Sequence, residues 1–253
     1  MEDFFYSQRS QVSDFVFEYQ KASLPEAVSQ EKFREPAANG DDVVNVAGAK
    51  YKLPESVNLA VPFTSQAPHA NWDLPYKEAC EEASLLMVAR YKKEKNITSP
   101  EDADREILKL VDFQNGYFGD PAQRGQSPAE LGGYKDTTAE QTAEIAREFY
   151  GFKNTEVIYD FTIDDVKKSL AEGNPVMVPA AGRQLLNPYF RSPGPLYHML
   201  VIRGYTKDKF ITNDPGTKRG EEFVYKYEDL LNAVHDWNGG EVEIGRRVMI
   251  VIR

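Results

Sequence analysis

An α+β fold class follows from two observations on this sequence. Helical periodicity runs from about residue 79 to 172, and beyond Gly173 apolar residues recur with period two. Helices first and strands later, with turn residues between successive strands, predict an antiparallel sheet packed against helices rather than parallel βαβ units.

Residues 1–56 are mostly polar and read as an N-terminal extension: a pro-segment, a stalk or a packed arm. A short helix is expected from Gln11 to Lys21, where Phe15, Val16 and Tyr19 lie at helical spacing, followed by an exposed turn at Pro36-Ala37-Ala38-Asn39-Gly40-Asp41-Asp42. The domain proper is placed at 57–253. Val57 to Phe63 reads as a strand, and Gln66 to Lys77 as a loop with Pro, Asn, His and Trp. Ala79 then opens a helix in which Ala83, Leu86, Met87 and Arg90-Tyr91 follow a 3.6 period.

Ser99-Pro100-Glu101-Asp102 combines a cap, a first-turn proline and first-turn acids, which predicts a helix to about Val111. Ser127-Pro128-Ala129-Glu130 repeats the signal. Thr138 to Tyr150, closed by Gly151, and the Thr162-capped segment closed by Gly173 are two more helices. Strands are expected at 176–178, 199–202, 209–212, 222–225 and 248–252.

Composition narrows the function. With 253 residues the chain buries enough surface to need no disulfide or metal staple. Lys+Arg 30 against Asp+Glu 40 leaves a net charge of −10 with bases scattered, which argues against nucleic acid as partner. Apolar runs fall short of the roughly 20 residues that cross a bilayer. Met1-Glu2-Asp3-Phe4-Phe5 shows no basic region before an apolar one, so no secretory signal is expected within this sequence. Three histidines and one cysteine offer no close-spaced ligand pair, so neither a metal nor another cofactor is expected.

That leaves one thiol to explain. Cys80 falls in the first turn of a helix, where unpaired N–H groups and the macrodipole favour the thiolate. Glu81 and Glu82 beside it read as capping or solvent-facing acids. A nucleophilic thiol needs a base, for which His198, at the head of an apolar strand, is better placed than His69 or His235. A hairpin centred on residue 206 would set Asp214 opposite His198, and Asn213 on the other face unless the register slips by one. Gln66, upstream of the nucleophile, could join the Cys80 N–H in binding an oxyanion.

Together, Val61-Pro62-Phe63-Thr64-Ser65-Gln66, Glu78-Ala79-Cys80-Glu81-Glu82-Ala83-Ser84-Leu85, His198-Met199-Leu200-Val201-Ile202-Arg203-Gly204-Tyr205 and Ile211-Thr212-Asn213-Asp214-Pro215 resemble papain-fold cysteine peptidases related to the bacteriocin-processing, double-glycine-cleaving family, in stand-alone form. The resemblance spans about 57–253. It implies a papain-like fold with a helical lobe carrying the nucleophile and an antiparallel sheet lobe. It further implies Cys80 as nucleophile, His198 as base and acid, Asp214 as orienting carboxylate and Gln66 as oxyanion donor, acting on a peptide or protein at a bacterial surface or outside the cell. Many relatives carry Cys-Gly-Pro where this chain has Cys80-Glu81-Glu82. The fourteen positions from Gln66 to Cys80 make a long loop, whose Trp72 and Tyr76 are expected to shape the substrate cleft. Acyl transfer to an amine would use the same residues, and a non-catalytic binding protein on this scaffold is the competing class.

Overall fold

Three helices begin where a side chain stands ready to cap them. In the computed structural model, which describes Lys21 and residues 23–31, 53–119 and 136–253, Ser99, Thr138 and Thr162 each accept a hydrogen bond from the backbone N–H three residues on. Thr138 and Thr162 complete capping boxes with Gln141 and Asp165. The expected helix from Gln11 to Lys21, apart from Lys21 itself, the turn at 36–42 and the helix signalled at 127–130 lie outside the described residues.

The helices are α1 (Cys80–Lys92), α2 (Pro100–Phe118), α3 (Ala139–Glu148), α4 (Ile163–Ala171) and α5 (Tyr227–Ala233). The strands are β1 (Val57–Asn58), β2 (Thr155–Tyr159), β3 (Val176–Ala181), β4 (Tyr197–Tyr205), β5 (Lys209–Asn213), β6 (Phe223–Lys226) and β7 (Val248–Ile252). They pair antiparallel in the order β2-β7-β3-β4-β5-β6, with β1 added to the end of β4. This is the α+β architecture expected from the sequence.

Three elements depart from expectation. The first strand covers only Val57–Asn58, because beyond it the chain pairs on two sides at once: Leu59 N–H donates to Arg203 O and Ala60 N–H to Val28 O. Helix α2 runs to Phe118, about two turns past Val111, as Phe113 and Phe118 pack against the core. Strand β2 lies between two helices, where no strand was expected, and its Thr155-Glu156-Val157-Ile158-Tyr159 edge is anchored along β7.

Helix α1 is central. Eleven of its thirteen residues are buried, so it has little polar face and packs against β4 on one side and α2 and α3 on the other. Its Leu85, Leu86, Met87 and Val88 enter the same core as Met199, Leu200, Val201 and Ile202 of β4. Burying such side chains contributes roughly 1.5–3 kcal/mol each, which fixes α1 against the sheet. Of the N-terminal segment, Pro25 O accepts from Asn58 Nδ2 and Lys21 pairs with Glu221 at 2.8 Å. No helix among the described residues is long and apolar enough to cross a membrane.

Candidate active site

The start of α1 is set by the chain before it. Tyr76–Glu78 form one 3₁₀ turn, Ala79 breaks it, and Cys80 becomes the first α-helical residue. Gln66 holds this approach: its amide Nε2 donates to Tyr76 O (2.9 Å) and Lys77 O (3.0 Å). Its backbone N–H donates to Pro215 O at 2.9 Å, so one residue ties the loop before the thiol to the turn after Asp214. Both amide hydrogens are thereby committed, and the buried Oε1 has no hydrogen-bond partner. The carboxamide in this arrangement orders the loop, its two hydrogens turned to Tyr76 O and Lys77 O.

His198 and Asp214 meet, through a register other than the simple hairpin. Tyr205 pairs with Phe210 and Gly204 with Ile211, but Ile202 pairs with Thr212 and Val201 with Asn213, leaving Arg203 as a bulge. Continued unbroken, the outer register would set Asp214 across from Val201, on the face opposite His198. The bulge brings it across from Leu200, two residues from His198 and on the same face. His198 Nε2 lies 2.7 Å from Asp214 Oδ1, with both side chains almost fully buried. Asn213 faces the other way: its Nδ2 donates to Val61 O and Pro62 O.

The carboxylate is held on every side. Oδ1 also accepts from Gly216 N–H (3.0 Å), and Oδ2 from Tyr225 Oη (2.7 Å) and Asn187 Nδ2 (3.0 Å). Burial alone would push Asp214 up, but His198, Tyr225 and the Gly216 N–H outweigh it and hold the carboxyl below its ordinary range. Phe190 packs edge-on against the imidazole, centroids 5.3 Å apart. Gly216 must be glycine, since a Cβ there would lie 2.7 Å from Phe190 Cε1 and 2.9 Å from His198 Cε1. Sequence reasoning missed Asn187, Tyr225 and Gly216; only the glycine carried a local signal, in Asp214-Pro215-Gly216.

The surroundings of Cys80 correct the reading of its neighbours. Glu81 and Glu82 are 2% and 3% exposed, not capping or solvent-facing, because Asp136 and Thr137 close over them. Cys80 Sγ donates to Glu81 Oε2 at 2.9 Å, while Oε1 accepts from Thr137 N–H at 2.8 Å. Glu82 Oε2 is buried without a partner. Burial, and then the neighbouring Glu82, push Glu81 up to about 8; burial and Asp136 push Glu82 to about 7. Burial first and then Glu81 also raise the thiol well above its ordinary value, so the resting sulfur is protonated.

Cys80 and His198 line one cleft of about 500 Å³, together with Gln66, Trp72, Phe190 and Tyr197. Trp72 lines this cleft with them. Tyr76 does not: its hydroxyl donates to Asp104 on α2, which turns the ring off the cleft. His69 is exposed in its loop, and His235 Nδ1 contacts Gly245 O at 2.8 Å.

The model of the Peptidase C39-like family matches residues 58–239. Among solved structures, one described as a C39-like peptidase from Bacillus anthracis is similar at 20% identity and a TM-score of 0.49, covering 79% of this chain and 98% of that one. No curated protein matches in sequence.

Proposed function

Because the chain belongs to the C39-like peptidase family, we propose that it is a cysteine peptidase in which Cys80 attacks, His198 moves the proton and Asp214 orients the imidazole. The observation that carries this reading is the His198–Asp214 pair, 2.7 Å apart and buried, opening onto the cleft that Cys80 also lines.

The chemistry follows from which ring nitrogen is occupied. An ionised Asp214 fixes the proton on Nε2, which leaves the Nδ1 lone pair to take the thiol proton. In the resting arrangement that proton is directed at Glu81, so attack begins with Sγ turning from Oε2 toward the imidazole. The thiolate adds to the substrate carbonyl carbon and the imidazolium protonates the departing amine. Water, deprotonated by the same histidine, then releases the acyl group. The oxyanion falls to the Cys80 backbone N–H at the start of α1, with Gln66 keeping its approach in place.

Incubation with a peptide library and with a thiol-alkylating probe tests this. Cleavage and Cys80 labelling are expected, both lost in Cys80→Ala, and cleavage alone lost in His198→Ala. Absence of both in the unmodified chain would overturn the reading. Peptides offered with an amine acceptor separate hydrolysis from acyl transfer.

A further inference from the structure

In a chain where acids outnumber bases by ten, the described residues that line the cleft include three cations, Lys77, Arg191 and Lys218, and no aspartate or glutamate. The three come from separate segments: the loop before α1, the segment between β3 and β4, and the turn after Asp214. All are exposed. Among the described residues neither Arg191 nor Lys218 has an ion-pair partner, and Lys77 has only its neighbour Glu78, at 3.8 Å and largely in solvent. Such a contact neutralises little of the lysine's charge.

Asp214 does not supply the missing acid. It lies behind His198, fully buried and saturated by hydrogen bonds. The carboxyls of Glu81 and Glu82 are enclosed beneath α1 and do not line the cleft. A concave surface bearing one sign of charge over low-dielectric walls focuses potential and concentrates the opposite charge. Its apolar side, with Trp72, Phe190 and Pro195, would meanwhile take aliphatic or aromatic side chains.

We propose that the substrates are peptides with acidic side chains beside the scissile bond, drawn in by Lys77, Arg191 and Lys218. This rests on the peptidase reading for the bond that is cut, but the charge preference belongs to the cleft and is measurable without turnover. A substrate's terminal carboxylate would satisfy the same cations, so the test peptides are amidated and one matched pair carries a free C-terminus.

The experiment uses fluorescent, amidated peptides of one backbone with Glu, Gln or Lys at the positions flanking the centre, titrated into Cys80→Ala protein at low and high salt. Binding of the Glu peptide about tenfold tighter than the Lys peptide is expected, with the gap closing at high salt and in the Arg191→Glu, Lys218→Glu double variant. Equal affinities of all three, or a gap indifferent to salt and to those substitutions, would overturn the proposal. So would a gap confined to the free C-terminus. A charge-ordered binding series with no cleavage by the unmodified chain would sustain the acidic-ligand inference while removing the peptidase function.

Discussion

Replacing Glu82 by glutamine should stabilise the protein at alkaline pH and leave it nearly unchanged at acid pH. The carboxyl is 3% exposed, its Oε2 has no hydrogen-bond partner, and burial together with Asp136 holds its pKa at about 7 instead of the ordinary 4.5. Between those values the folded chain keeps a proton that the unfolded chain has released. Raising the pH therefore favours unfolding, and this contribution to stability, full below 4.5, is lost by the time the pH passes 7. At 1.36 kcal/mol per pKa unit the loss is about 3 kcal/mol. Glu81 and Asp136, each pushed up to about 8 chiefly by burial, act with the same sign. Asp214, Asp102 and Asp165 are held low and withdraw stability only below the ordinary carboxylate range, outside this window. The wild-type chain should accordingly melt higher at pH 5 than at pH 8. For a domain of this size 1 kcal/mol moves Tm by roughly 2–4 °C, so Glu82→Gln should raise Tm at pH 8 by about 6–12 °C, and at pH 5 by far less. Thermal unfolding followed by circular dichroism at both pH values measures this. A wild-type Tm that does not fall between pH 5 and 8, or a substitution effect of equal size at both, would refute the reasoning.

Three further outcomes are expected. Gly216→Ala forces a methyl against His198 and Phe190, so peptide cleavage should fall at least about a hundredfold while melting shows a loss of only about 1–3 kcal/mol. Tyr225→Phe removes one donor from Asp214 Oδ2, a bond to a charged group worth about 1.5–3 kcal/mol, and lets that carboxyl titrate higher. The acid limb of the kcat/KM profile should then move to higher pH, with Asn187 limiting the shift. Thr138→Ala breaks the capping box of α3 and should cost about 1 kcal/mol in urea unfolding, without altering the acid limb.

The parts of the molecule that announce themselves in the sequence are those governed by neighbours along the chain. Ser99, Thr138 and Thr162 mark helix starts by bonding three residues ahead, and the continuous apolar runs in β4 and β7 report two-sided packing directly. His198 and Asp214 were within reach because a hairpin relates positions by arithmetic, although the true register includes a bulge that arithmetic does not reveal. Glu81 and Glu82 misled for a physical reason: first-turn acids ordinarily face water, and only the return of Asp136 and Thr137 over the helix start buries them. Tyr225 and Asn187 reach Asp214 across 11 and 27 positions, from a strand and a loop whose approach no local pattern encodes. The Thr155–Tyr159 strand was concealed by the helices on either side of it.

The bulge at Arg203 makes the hairpin a device of parity. Its outer half puts Tyr205 and Phe210 into the core, its inner half puts His198 on the cleft with Asp214 buried behind it, and one unpaired residue lets both halves face correctly. The extra residue is itself locked in place, as Arg203 Nε donates to Asn58 Oδ1 and Leu59 O and its carbonyl receives Leu59 N–H. Were the residue drawn into the ladder instead of bulged, Asp214 would stand across from Val201, on the face opposite His198, while Tyr205 and Phe210 kept their pairing. The N-terminal segment that clasps the bulge through Leu59 therefore holds the register on which the His198–Asp214 pair depends.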